Sequence, residues 1–251
     1  MLNNYKNIGV VVLSAGRGSR LGCNEIPKVM LEIGGKPIVS YIVKTLQKIG
    51  FEKDQVCLVV GFQKEKIIDY FGDKVSYAVQ EEQKGTAHAS YVGIKSLPDS
   101  IDTVLVVNGD DSAFYRTKTI EWFLAEHVKN NYQLSLLSVT VDRPDSAGRV
   151  IRHENGDVEI IEKEYLTDKQ RQINEISTNT FCFDRQWYEE MFPQMPVLRK
   201  LGEYGLPTAV AMARKQNKNY QIIEVENSSE WFGINNKEEL KKAQEKKINN
   251  T

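Results

Sequence analysis

Cysteine and histidine are scarce: of 251 residues, three are cysteine and three histidine. Cys23, Cys57 and Cys182 are odd in number and lack Cys-x-x-Cys spacing. That excludes a zinc knuckle and a redox dithiol, and it predicts a reducing, cytoplasmic setting. His88, His127 and His153 are too scattered for a histidine-rich metal centre. Net charge is also missing, with 33 Lys and Arg against 34 Asp and Glu, so no global field draws nucleic acid or an anionic membrane. No apolar run approaches the roughly 18 residues of a membrane span, and the opening MLNNYKN does not read as a signal peptide. The expected partners are therefore small molecules, with no nucleic acid and no membrane, and composition leaves the oligomeric state undetermined. Repeats, low-complexity tracts and linkers are absent too. One domain over residues 1–236 is expected, followed by a charged helix and tail over 237–251.

What is present is concentrated near the N-terminus. The apolar run Ile8–Leu13 breaks into a loop carrying Gly16 and Gly18, with positive charges at Arg17, Arg20 and Lys28. A strand ending in a glycine-rich turn presents bare backbone N–H groups that bind phosphate, and the cations add full charge. Two better-known phosphate loops fail on their defining residue. Leu21 stands where the dinucleotide fingerprint needs its third glycine, and no Gly-Lys-Ser/Thr triplet follows Gly16 or Gly18.

Buried-type strands alternate with helical patterns along the first half. Ile8–Leu13, Val56–Val60 and Val104–Val107 are short, apolar and β-branched. Between them, helices are predicted from Ile38 to a stop at Gly50, over Lys64–Phe71 to a stop at Gly72, over Thr86–Lys95, and over Lys118–Val128. The fold class this implies is α/β, a Rossmann-like, mostly parallel sheet with helices on both faces. From about residue 134 the rhythm changes. A strand LSLLSVTV, a hairpin pairing Arg149–Arg152 with Val158–Glu162, and a strand Ile176–Phe183 read as β insertions in the second half.

In such sheets ligands lie beyond the carboxyl ends of the strands. Three segments then share one surface: the loop after Leu13, the run Asn108–Asp111 after Val104–Val107, and Gln80–Thr86 after the strand Val75–Val79. An aspartate emerging beside a phosphate loop suits Mg²⁺, which prefers carboxylates, water and phosphate oxygens, so Asp110 is the metal candidate. The neighbouring Asp111 is read as a turn or solvent residue, because adjacent side chains on an extended segment diverge. The tryptophans are read as packing residues, and the Lys/Glu run of 237–247 as a solvated helix face.

The run Leu13-Ser14-Ala15-Gly16-Arg17-Gly18-Ser19-Arg20-Leu21, then Pro27-Lys28 and Gly35-Lys36-Pro37, resembles the signature of the sugar-phosphate nucleotidyltransferases. Within them it is most similar to the uridyltransferase domain of bacterial N-acetylglucosamine-1-phosphate uridyltransferase. Gln80 with Gly85-Thr86-Ala87-His88-Ala89, Val107-Asn108-Gly109-Asp110, Gly148-Arg149-Val150, Glu162-Lys163 and Gly233-Ile234-Asn235-Asn236 extend the likeness over residues 7–240. The resemblance implies transfer of a nucleotide from UTP to a sugar 1-phosphate, N-acetylglucosamine 1-phosphate first among them, with Mg²⁺ as cofactor and pyrophosphate released. It assigns Arg20 and Lys28 to the phosphates as catalytic residues. Leu13, Ser14, Ala15, Gly16, Arg17, Gly18, Gln80, Gly85, Thr86, Asn108 and Gly109 would hold the nucleotide, within a nucleotide half of about 1–133. Gly148, Glu162, Ser177 and Asn179 would hold the sugar, within a half of about 134–236. Asp110 and Asn235 would coordinate the metal. The nucleophile would be a phosphate oxygen, already anionic at neutral pH, so no general base is required.

The sugar segment departs from the family pattern. Related enzymes carry Glu-Ile-Asn-Thr-Gly where this chain reads Glu175-Ile176-Ser177-Thr178-Asn179. A hydroxyl replaces an amide at 177, and Asn179 adds bulk where glycine is usual, on what strand alternation makes the same face. Acceptors other than N-acetylglucosamine 1-phosphate therefore stay open. So do a cytidylyl- or guanylyltransferase, since a glutamine amide presents either a donor or an acceptor, and a non-catalytic nucleotide-binding regulator on the same fold.

Overall fold

The computed structural model describes residues 5–18, 21–23, 25–142, 144, 147–198, 200 and 202–249. It is an α/β structure built on one nine-stranded sheet. Strands β1 (Ile8–Leu13), β4 (Val56–Val60), β5 (Ser76–Val79) and β6 (Thr103–Asn108) run parallel, and a two-residue pair, β2 (Glu32–Ile33) and β3 (Lys36–Pro37), stands apart. The second half adds β7 (Leu134–Thr140), β8 (Arg149–Arg152), β9 (Val158–Ile161), β10 (Glu175–Asp184) and β11 (Tyr220–Glu224). The central order is β11-β7-β10-β6-β1-β4-β5. β10 runs antiparallel between β6 and β7, while β11 is parallel to β7.

Alternation along the strands divides the core in two. Ile8, Val10 and Val12 of β1 point to one face and Val11 and Leu13 to the other. The first face is covered by α1 (Ile38–Ile49), α2 (Lys64–Phe71) and α4 (Thr117–Lys129), through Ile42, Ile67 and Phe123. The second is covered by α3 (Thr86–Ser96), α6 (Arg185–Met191) and α7 (Thr208–Lys215), through Ile94, Tyr188 and Val210. A single turn, α5 (Asp168–Arg171), follows β9. With both faces covered, the strands can be apolar at every position, and β1 is buried throughout.

The chain runs β1, β4, β5 outward on one side of β1, then crosses back to lay β6 on the other. This reversal opens a crevice at the carboxyl ends of β1 and β6. Among the described residues, no helix is long and apolar enough to cross a membrane.

Two expectations change. The last helix, α8 (Lys237–Asn249), is not simply a solvated face. Ala243 is fully buried in a third apolar cluster with Leu21, Cys23, Ile33 and Ile234, and Leu240 packs against it. Its lysines join the packing: Lys246 Nζ lies 4.5 Å from the Phe114 ring centre, and Lys247 Nζ 3.8 Å from that of Tyr41. Long lysine stems cover apolar surface while the ammonium finds an aromatic face or a carbonyl, here Ala113 O at 2.7 Å from Lys247. Strand alternation also fails between Ser177 and Asn179. The register with β7 slips between Ser177 and Thr180, and Asn179 adopts a left-handed backbone with φ of 54°. The asparagine occupies a conformation that glycine would adopt freely and that asparagine tolerates better than most residues.

Candidate active site

The site is assembled where strand ends meet. Leu13 and Asn108, the last residues of β1 and β6, are paired across the sheet. The Gly109 N–H donates to Leu13 O at 3.0 Å, and the Ser14 N–H to Val59 O at 2.9 Å. The backbone of Gln80 is fixed to Val60 O at 2.8 Å, and the side chain of Gln83 donates to Ala15 O, also at 2.8 Å. Loops after four adjacent parallel strands are thus tied into one rim.

The rim encloses a cavity of about 410 Å³. Leu13, Ala15, Gly16 and Gly18 form one wall, and Gln80, Gly85 and Thr86 another. Asn108, Asp110, Lys28 and Asn235 close the end. Sequence reasoning assigned no role to Gln83, Glu203, Val29 and Ala89, which also line it. Gln83 lay within the flagged Gln80–Thr86 segment, whereas Glu203 comes from the irregular stretch before α7, where no local pattern marks it.

Two glycines are required by geometry. Gly18 has φ of +74°, and a Cβ there would lie 2.6 Å from Lys28 Cβ, so the phosphate-type loop lies directly against the lysine stem. Gly85 has φ of +97°, and a Cβ there would lie 2.6 Å from Tyr204 O. That contact belongs to a seam in which Ala87 N–H donates to Tyr204 O and Leu206 N–H to Thr86 Oγ1, both at 2.9 Å. Gln80 is buried, its side-chain N–H₂ within 3.2 Å of Gly85 O and 3.0 Å of His88 Nδ1. Among the described residues, the carbonyl end of the amide has no such internal bond. Burial, and then the charge of Lys84, hold the His88 imidazole below its usual range.

At the closed end one ammonium meets two oxygen acceptors. Lys28 is ion-paired with Asp110 and donates to Asn235 Oδ1 at 3.2 Å. Asn235 is held in turn by the first turn of α8, where its N–H donates to Glu239 Oε2 at 2.5 Å. Asp111 keeps the turn placement expected of it but not the solvent exposure. It is 7% exposed, accepts from Asn108 Nδ2 at 3.2 Å, and keeps a buried Oδ1 without a hydrogen-bond partner. Burial, and then the charge of Asp110, push its carboxyl well above the usual carboxylate range.

Other predicted site residues stand back from the cavity. Ser14 is buried behind it with an unpartnered Oγ, and Gly109 lies against that same oxygen. The Arg17 guanidinium sits 4.7 Å over the Phe62 ring. Arg20 lies outside the described residues. Among the acceptor candidates, Gly148 and Glu162 adjoin: a Cβ at 148 would be 3.4 Å from Glu162 Oε2. Glu162 lines a second recess of about 180 Å³ with Tyr165, Leu198 and Thr208. Burial, and then the charge of Glu164, raise its carboxyl above the usual value. Ser177 is buried and lines neither cavity, and its Oγ accepts the Asn179 N–H at 3.2 Å.

Residues 10–218 match the MobA-like NTP transferase domain. The chain belongs to that family. It is 33% identical over 235 residues to the bifunctional protein GlmU of Bacillus licheniformis, an alignment covering 93% of this chain and 51% of the relative. Against the bifunctional protein GlmU of Staphylococcus carnosus it is 31% identical over 236 residues, covering 94% and 51%. The chain thus spans about half the length of the curated relatives it matches. A solved structure assigned as a glucose-1-phosphate thymidylyltransferase from Bacillus anthracis, in complex with a sucrose, superimposes with a TM-score of 0.77. It is 19% identical and the match covers 95% of this chain and 94% of that one, which establishes the shared fold.

Proposed function

We propose that this NTP transferase makes a UDP-sugar and pyrophosphate from UTP and a sugar 1-phosphate, with N-acetylglucosamine 1-phosphate the first acceptor to test. The observation that carries the reading is the convergence of a glycine-rich loop, Lys28, and the oxygens of Asp110 and Asn235 on one cavity. The nucleotide would lie along Leu13–Gly18, its base toward the free carbonyl end of Gln80 and the Gly85–Thr86 backbone. Residues up to about 133 would serve the nucleotide and those of about 134–236 the acceptor, with Gly148 and Glu162 beside it.

Mg²⁺ suits the donors at the closed end. Asp110 and Asn235 offer hard oxygen ligands that already converge on a single cation, the Lys28 ammonium, and Mg²⁺ takes few protein ligands when phosphates and water supply the rest. Bound there, it would supply charge neutralisation at the phosphates. The chain's own residues would then do the positioning. The loop N–H groups hold the triphosphate extended, and Lys28 and Arg20 offset charge as the acceptor's phosphate oxygen attacks the α-phosphorus in line and pyrophosphate leaves.

A different acceptor is favoured by one specific observation: buried Ser177 accepts the backbone N–H of Asn179, and neither residue lines the recess beside Glu162. Pyrophosphate release with Mg²⁺ should be measured for UTP, CTP, GTP, ATP and dTTP crossed with a panel of sugar 1-phosphates and phosphocholine. Turnover with UTP and N-acetylglucosamine 1-phosphate supports the full reading. Turnover only with another pair reassigns base or acceptor. Nucleotide binding without turnover across the panel supports a regulatory role.

A further inference from the structure

We propose that the Lys28 ammonium is the resident counter-ion of the metal pair, occupying in the free protein the place a divalent cation takes with the nucleotide. The inference rests on the assignment of Asp110 and Asn235 to the metal. Lys28 is already ion-paired with Asp110 and hydrogen-bonded to the side-chain oxygen of Asn235, the same lone pairs a metal would use. Only about 13% of the lysine side chain and 23% of the aspartate are exposed, so the pair is little weakened by solvent. The β-carbon of Lys28 lies close against Gly18, while the ammonium lies at the far end of a flexible four-carbon chain. The charge is therefore able to swing while the stem stays beside the loop.

The physical consequence is a competition with two outcomes. Without nucleotide, a divalent ion must displace a cation from its own ligands, so the metal alone binds poorly. With a triphosphate along Leu13–Gly18, the ammonium gains a phosphate partner and vacates Asp110 and Asn235. Metal and nucleotide then load together, and their affinities are coupled through one side chain, each raising the other by the same factor.

The test is Mn²⁺ binding, read by electron paramagnetic resonance of the free ion, without and with UTP. In the absence of nucleotide, Lys28→Met should bind Mn²⁺ about five-fold or more tightly than the unaltered protein, the scale of removing one like charge at contact distance in a partly solvated site. Adding Asp110→Asn to Lys28→Met should abolish the gain. Lys28→Gln, which keeps a polar end, provides a second variant if the methionine variant misfolds, and circular dichroism checks folding in each. Unchanged or weaker Mn²⁺ binding in folded Lys28 variants overturns the proposal. If Mn²⁺ in the presence of UTP still depends on Asp110 in that event, the metal assignment stands without it. If Asp110→Asn leaves Mn²⁺ affinity with UTP untouched, the metal assignment falls, and the inference with it.

Discussion

Lys28 joins three parts of the chain that are remote in sequence: the loop at Gly18, the end of β6 at Asp110, and Asn235 ahead of α8. With the triphosphate seated as proposed, the ammonium exchanges its carboxylate for a phosphate, so its contribution is concentrated in states where the triphosphate is present. Removing it should cost turnover more than nucleotide affinity. Lys28→Ala is expected to lower kcat by about two to three orders of magnitude, the scale of losing one preorganised electrostatic contact. Steady-state kinetics with the productive substrate pair provide the check, and near-normal kcat would remove Lys28 from the chemistry. Asp111 teaches a related point at the same scale. Its burial follows from the turn geometry after β6, where Asn108 donates to it, and no residue type in the sequence Asn-Gly-Asp-Asp distinguishes a buried from a solvated second aspartate.

Among the elements, α8 shows how packing can place a site residue from outside the sheet. Its first turn accepts the Asn235 N–H through Glu239, and Asn236 Oδ1 accepts the Glu239 N–H at 2.9 Å, so the helix start and the site residue are locked together. Glu239→Ala should loosen Asn235 without touching the nucleotide loop. The expected result is a several-fold higher Mg²⁺ concentration for half-maximal turnover with a smaller change in kcat. A parallel fall in kcat at saturating Mg²⁺, with no shift in the metal requirement, would contradict it. The elements that were legible in sequence share a reason: β1, β4 and β6 are buried on both faces, and α1 and α2 end at Gly50 and Gly72, as their apolar runs and stop residues indicate. The orientation of β10 was not legible, because a strand covered on both faces carries the same apolar run whether parallel or antiparallel. The β2–β3 pair is two residues per strand, too short for any periodic signal. In α8 the buried stripe is only Ala243 with Leu240, and its lysines pack through their stems, so a charge count describes the wrong atoms.

At the scale of the whole molecule, the sheet that forms the crevice depends on β7 and β10 continuing it beyond β6, and α4 is packed against that extension. His127 of α4 is 3% exposed, with Nδ1 2.7 Å from Ser135 Oγ of β7. Burial lowers its pKa from 6.5 to about 4. An imidazole that resists protonation when folded but accepts a proton when unfolded makes the unfolded state bind more protons between those values. Stability from this group is therefore complete above about pH 6.5 and is lost as the pH falls toward 4, amounting to about 3 kcal/mol over the full interval. His127→Gln removes the titration. Urea unfolding at several pH values should show the stability difference between the unaltered protein and this variant shrinking by about that amount from pH 7 to pH 4. Carboxylates that titrate in the same window act on both proteins and cancel in the difference, so a difference independent of pH would mean that His127 is protonated as readily in the fold as outside it. Because α4 and β7 belong to the same cooperative core as β6, the loss should appear in unfolding of the whole sheet, with the nucleotide crevice lost in the same transition.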